Sequence, residues 1–379
     1  MINTPANTAE AGAGGTAEAT TAQSTPAAAA VEPDDGGQAK RTADIGQAGE
    51  AVDARPGRTL REGLAVGLAE RYGLLLIFAA VVLFFALWNQ TSETYLTAVN
   101  VRTIVGNQAV VAMVVLAMVV PLTAGVLDLS AASICGVTSM AAAAAMSRFD
   151  APVWVAVAVA LAIGLGIGLI NGIAVACFEI NPIIETLGMA TLLGGVMIWY
   201  SDGQPITRNL SLAFQDFGSL NWFGVPRLVV VLVPAILGTW YLLDHTPYGR
   251  YLHAIGSNPR SAKLVGIRVP RTLLTSLVIA GGLAALAGVL LCARAGGADP
   301  QTGPSFLFPA FAAVFLGATV IRPGKPNPLG AVIGVFFIAF TVSGFGIAGA
   351  SAWASPVFNG AALLVAITLQ TSLTRRRRT

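Results

Sequence analysis

Two carboxylates stand in stretches that otherwise carry no charge. Asp128 lies in Thr123-Ala124-Gly125-Val126-Leu127-Asp128-Leu129-Ser130, and Glu185 in Asn181-Pro182-Ile183-Ile184-Glu185-Thr186-Leu187-Gly188. In a bilayer such a group costs about 2.5–3.5 kcal/mol on insertion scales, so it needs a function or a compensating environment. Proton carriage in an ion-coupled transporter is one chemistry. Anchoring of helix starts is the other. An acid just before Ser130 would meet free N–H groups at a positive helix end. Asn181 fits as a cap and Pro182 as a first helical residue, which puts Glu185 in the first turn. Glu179 lies nearer a boundary.

Other chemistry is sparse. His245 and His253 share one polar loop, with no metal-binding spacing around them. Cys135, Cys177 and Cys292 lie in apolar surroundings without a CxxC pair and read as small packing residues. Gly324-Lys325 is followed by Pro326, so it is not a phosphate-binding loop, and the chain has no ATP site of that kind. Gly164, Gly166, Gly168 and Gly172 recur through one apolar run, and Gly281, Gly282 and Gly288 through another. The spacing predicts close helix packing within the chain, with a dimer interface as the alternative.

The elements that hold these residues are set by composition. Of 379 residues, 55% are apolar and 11% charged, and mean hydropathy is +0.72. A soluble domain carries about 25% charged residues. The composition excludes an ordinary cytosolic enzyme, a nucleic-acid-binding module and a disulfide-stapled secreted domain, and it predicts an all-α polytopic transmembrane bundle. Ten spans are expected, near 72–88, 104–121, 129–146, 152–176, 184–200, 228–243, 273–293, 305–321, 329–348 and 356–373. The second and third meet through Thr123-Ala124-Gly125 and read as broken or re-entrant; the eighth contains Pro309 and reads likewise.

Basic residues orient the chain. With the N-terminus inside, 17 of the 22 Lys and Arg fall on the inner side, including Arg375–Arg378. Both termini are therefore expected in the cytoplasm. Residues 1–58 hold eight of the 19 acidic residues and almost no large apolar side chains, which predicts a disordered cytoplasmic tail. No basic segment precedes an early apolar run, as a signal peptide would need. Over 59–71, Thr59 and Glu62 fit a capping box, and Leu60, Leu64 and Leu68 follow at helical spacing. That segment reads as an amphipathic juxtamembrane helix or as an extension of the first span. The transmembrane body is 72–373, and 374–379 is a basic tail.

The inner loop 244–272 carries the most information. Asn258 can cap a two-turn helix with Pro259 first, running to Val265 and stopped by Gly266. So short a helix needs a docking surface. A groove in a cytoplasmic partner is favoured over the chain's own surface, with Ala262 as the small residue facing it.

The loop also carries a resemblance. Tyr248-Gly249-Arg250, Ala254-Ile255-Gly256-Ser257-Asn258, Ser261-Ala262 and Gly266-Ile267-Arg268-Val269 resemble the coupling loop of ABC-importer permeases of the ribose/xylose/galactoside group. Thr123–Ser130 is similar to that family's T-G-G-I-D-L-S signature, and Asn181–Gly188 to a second segment, followed by Asp202–Ile206. Phe311–Thr319 resembles a third. Ala124 and Ala318 replace family glycines, Glu185 stands where an apolar residue is usual, and Pro323-Gly324-Lys325-Pro326 replaces a glycine-rich turn.

The resemblance implies the membrane-spanning permease of a monosaccharide importer in a bacterial inner membrane. It would work as a homodimer with cytoplasmic ATPase subunits that bind ATP and Mg, and with an extracytoplasmic sugar-binding protein. Asn258, Pro259, Arg260, Ser261, Ala262, Gly266 and Ile267 would couple to the ATPase. Thr123, Gly125, Asp128, Leu129, Ser130, Thr186, Leu187 and Gly188 would line the pathway or its gate. The outer loop 201–227, with Leu212, Phe214 and Phe217, reads as the seat of the binding protein or as an interfacial aromatic belt. A permease for branched-chain amino acids or another small solute is the related alternative. A proton-coupled secondary transporter using Asp128 and Glu185 is the more distant one.

Overall fold

The computed structural model describes residues 60–376, with side chains from 72 to 371. The expected tail 1–58 and Thr59 lie outside these residues, as do the last three of the basic tail. Helix α1 (Leu60–Leu87) is unbroken, so residues 60–71 continue directly into the first apolar run. A short α2 (Ser92–Tyr95) leads to α3 (Ala98–Thr123), α4 (Ala131–Phe149), α5 (Val153–Ala176) and α6 (Pro182–Ser201). Next come α7 (Leu212–Ser219) and a two-residue hairpin of β1 (Asn221–Trp222) and β2 (Val225–Pro226). Then come α8 (Val229–His245), α9 (Pro247–Ser257), α10 (Pro259–Leu264) and α11 (Val269–Ala295). The last are α12 (Thr302–Ser305), α13 (Leu307–Gly317), α14 (Pro328–Ile347) and α15 (Ala354–Arg376).

All ten apolar runs fall on helices. By length and composition, however, six of those helices among the described residues could cross a membrane, or seven if α8 and α9, bent by 68°, count as one. The apolar part of α1 (Tyr72–Leu87) and the α12–α13 pair (Thr302–Gly317) are shorter. The eighth run is broken as expected, although at Phe306 and not at Pro309, which sits in the first turn of α13.

Helix α3 is the centre of the bundle, its apolar residues from Ala109 to Val120 buried on every side. Helix α11 is nearly as deep. Between apolar helices in lipid, close backbone approach supplies the attraction that hydrophobic burial supplies in water. Gly164 and Gly168 of α5 lie against Gly281, Ala285 and Leu277 of α11, where any larger side chain would collide with backbone. The glycine repeat is thus packing within the chain, as the spacing predicts, and Gly166 alone points into open space. Cys135 and Cys292 are buried packing residues. Cys177 departs from expectation: it is exposed, at the end of α5.

Candidate functional site

The break between α3 and α4 is made by local backbone chemistry. Pro121 sits in the last turn of α3, and the N–H groups of Ala124 and Val126 donate to its carbonyl at 3.0 and 3.1 Å. Gly125 takes φ +81°, a conformation open to glycine at little cost, and the helix stops there. The next turn is held from a distance. Thr186 of α6 accepts from the Leu129 N–H at 3.0 Å and donates to its own Pro182 carbonyl at 2.7 Å.

Asp128 stands where its spacing predicts, at the start of α4. Its Oδ1 accepts from the Ser130 N–H at 2.8 Å and lies 2.6 Å from the Ser130 hydroxyl. Asn181 Oδ1 accepts from the Ile183 N–H at 3.0 Å, so Asn181 caps α6 and Glu185 occupies its first turn. The geometry adds a residue that the sequence reading missed. Asn171 of α5, fully buried, lies with one end of its amide 2.8 Å from Ser130 Oγ and the other 3.1 Å from Glu185 Oε1. Asp128, Leu129, Ser130 and Thr186 therefore converge with Asn171 and Glu185. Leu187 and Gly188 do not: Leu187 faces outward and Gly188 meets open space. These two expected pathway residues lie off the cluster because α6 turns their face away from the break.

The same break receives α9. Thr246 caps α9, its Oγ1 accepting from the Gly249 N–H, and Gly249, Leu252 and Ile255 bury one face at three-residue spacing. Gly256 then rests on the backbone of Thr123 and Ala124, so close that a Cβ would strike the Thr123 carbonyl. Beside this contact a cavity of about 360 Å³ is lined by Thr123, Gly125, His253, Gly256 and Lys325. Burial holds the His253 imidazole below its usual pKa, Lys325 adds to that shift, Asp244 opposes it and Arg322 reinforces it. Arg322 and Asp244 themselves form an ion pair.

Two residues past Gly256, Asn258 Oδ1 accepts from the N–H groups of Arg260 and Ser261 at 3.0 and 3.1 Å, capping α10. At the other end Gly266, at φ +85°, lets the Ile267 N–H reach back to the Ala262 carbonyl at 3.1 Å. One expectation is overturned here. Ala262 is 3% exposed and belongs to the chain's own core, with Ile267 packed partly against it. The face left open carries Leu264 at 87% and Val265 at 77%, with Pro259, Arg260 and Ser261 also exposed. A helix this short shows two faces, and the small residue takes the crowded one.

The loop 201–227 needs a similar correction. Leu212 is 77% exposed, but Phe214 is 6% exposed and packs inward, and Phe217 lies partly against the core. Gly218, one turn on, abuts the backbone of Ala293 and Arg294, which forces that face of α7 onto α11. The open apolar groups here include Leu212, Leu220, Trp222, Val225 and the fully exposed Phe223 at the hairpin tip, with the Arg227 guanidinium 5.2 Å from the Trp222 ring. Among the described residues, no group of three or more His, Cys, Asp or Glu is placed to hold a metal ion.

Comparison with known proteins identifies similar sequences. Residues 100–367 match the family described as branched-chain amino acid transport system / permease component. The ribose import permease protein of Bacillus subtilis is 33% identical over 304 residues, covering 80% of this chain and 93% of its own. The ribose import permease protein of Escherichia coli is 32% identical, covering 76% and 90%. The L-arabinose transport system permease protein of Escherichia coli is 28% identical, covering 82% and 93%. No solved structure matches the chain.

Proposed function

The chain belongs to the branched-chain amino acid transport system / permease component family, and we propose that it is the membrane-spanning subunit of an ATP-driven monosaccharide importer. The observation that carries the mechanism is Gly256 seated on Thr123 and Ala124, two residues from the capped helix α10. Whatever moves α10 moves α9, and α9 has no slack against the break. Separate ATPase subunits would grip the Leu264–Val265 face, bind ATP and Mg, and on closing shift the break so that the pathway opens to the other side.

Substrate class rests on the named relatives, which import ribose and L-arabinose. A sugar is polar and uncharged, so a pathway with few ionisable groups serves it. The full reading has about ten spans, both termini in the cytoplasm of a bacterium, a homodimer in the inner membrane and an extracytoplasmic binding protein. The hairpin at Trp222 and Phe223, with Leu212, replaces Phe214 and Phe217 as the surface for that protein.

Uptake of a radiolabelled panel, pentoses and hexoses beside leucine and isoleucine, by cells with and without the chain tests the reading. Chain-dependent uptake of one sugar that survives an uncoupler while ATP is maintained is expected. Uptake of the amino acids alone would transfer the substrate to the family's other branch, and collapse with the uncoupler would remove ATP as the driving force.

A further inference from the structure

We propose that Asp128 and Glu185 together hold one proton, whose place is set by the orientation of the Asn171 amide that joins Ser130 to Glu185, and that this proton ties the α3–α4 break to α5 and α6. The inference goes beyond the transport reading and stands whether or not the substrate is a sugar.

It follows from counting donors and acceptors. The four side chains form one line of contacts. Asp128 Oδ1 is 2.6 Å from Ser130 Oγ, Ser130 Oγ is 2.8 Å from one end of the Asn171 amide, and the other end is 3.1 Å from Glu185 Oε1. Ser130 brings one hydroxyl hydrogen, and the amide has one donating and one accepting end. If the amide nitrogen faces Ser130, the hydroxyl donates to Asp128, and the amide oxygen, which then also lies 3.3 Å from the Ile167 carbonyl, faces Glu185 across 3.1 Å. That contact is attractive only if Glu185 carries a hydrogen. With the amide reversed, its nitrogen donates to Glu185 and to the Ile167 carbonyl, and its oxygen takes the Ser130 hydrogen. The 2.6 Å contact between Ser130 and Asp128 then needs a hydrogen on Asp128. Either way, three attractive contacts require one carboxyl to be neutral. With both ionised, one of the three sets lone pairs against lone pairs among side chains of which Asp128, Ser130 and Asn171 are buried and Glu185 partly so, which is costly.

Beyond the Ser130 N–H, which donates to Asp128 Oδ1 and favours ionised Asp128 in either amide orientation, the surroundings offer little compensation. Asp128 is 2% exposed, and its Oδ2, like Glu185 Oε2, is buried without a partner. The titratable groups facing the line are Asp128, from the break, and Glu185, from α6. Helices α4 and α5 offer the Ser130 hydroxyl and the Asn171 amide, and α11 presents Leu274 and Leu277 against Gly172 and Gly168 of α5. Val126 of the break packs with Val175 and Leu277, closing that side with hydrocarbon. One proton and one negative charge are thus confined to a chain that spans three elements. Loss of the proton breaks one link, between the break and α5 or between α5 and α6, while the bond from the Leu129 N–H to Thr186 remains.

The test uses the full-length chain in lipid nanodiscs, followed by infrared spectroscopy and thermal unfolding across pH. The wild type should show one protonated-carboxyl C=O band that disappears as pH rises. The melting temperature should fall over the same range, because the native state then binds more protons than the unfolded one; for one proton the folded-to-unfolded ratio drops by about tenfold per pH unit within that window. Glu185→Gln and Asp128→Asn, which supply the missing donor permanently, should each lack the band and show a flatter pH dependence. If either variant fails to fold, the wild-type spectrum still decides. No band in the wild type would overturn the proposal, and so would a band that persists in both variants. Stabilisation of a band-less wild type by added Na+ or K+ would replace the proton with a metal cation.

Discussion

The two ends of the bundle handle exposed apolar residues differently. At the end bearing α9 and α10, Leu264 and Val265 are held on a helix capped on both sides, and that helix connects through Gly256 to the α3–α4 break. At the end bearing α7 and the hairpin, Phe214 and Phe217 turn inward, while Trp222 and Phe223 stand on a two-residue ladder. In the proposed mechanism the first arrangement transmits a displacement, because Gly256 lies directly against the backbone of Thr123 and Ala124. The second offers contact area but is anchored to the termini of α7 and α8, so a partner there can bind without moving the helix break.

The largest expected effect follows from that contrast. Gly256→Leu places a side chain where the Thr123 carbonyl already sits. Overpacking of this kind costs about 1–3 kcal/mol, which as a bias between transport states is about 5–150-fold. Uptake should fall by that order in cells whose membranes hold a normal amount of the chain, measured by quantitative blotting beside uptake. A fully active Gly256→Leu would show that α9 and the break move independently.

The next effect separates inward from outward residues. Ala262→Arg puts a charge into the core at 3% exposure. An unpaired buried charge costs roughly 3–5 kcal/mol, so this variant should accumulate poorly, as membrane fractions would show. At the other end, Phe214→Ala should cost about 3–5 kcal/mol as a core truncation, while Phe223→Ser should leave the melting temperature unchanged and weaken only binding-protein-stimulated ATPase activity. Equal thermal stability of Phe214→Ala and wild type would mean that α7 is not anchored as described.

The smallest effect is at His253. Its pKa lies below the usual value near 6.5, so the folded state holds the proton less readily than the unfolded one. Its contribution is complete above the unfolded pKa and is lost as pH falls from there through the folded pKa. His253→Asn should flatten the fall in melting temperature below about pH 6.5 and leave the curve above it unchanged.

Much of this arrangement was legible in the residues. Asn181-Pro182, Asn258-Pro259 and Gly266 mark helix ends because capping and positive φ are local demands, and each end falls within about a residue of its expected place. Asp128 was legible for the same reason. Facing was not. Ala262 and Phe214 were assigned outward on spacing and residue type, but on helices of six and eight residues the buried face is chosen by neighbours far away in sequence. Asn171 gave no signal at all: it is one amide in an apolar span, and only the approach of α5 to Ser130 and Glu185 gives it a role. Span number was blurred because helices buried in protein, such as α4, tolerate more small and polar residues than a lipid-facing helix.

In the proposed mechanism Leu264 and Val265 form the ATPase docking face. Co-purification of the ATPase subunit with the double variant Leu264→Arg, Val265→Arg tests this, since both side chains are exposed and the core is untouched. The expected result is a chain with wild-type abundance and melting temperature that no longer retains its ATPase and no longer supports uptake. A double variant that retains the ATPase and transports normally would contradict it.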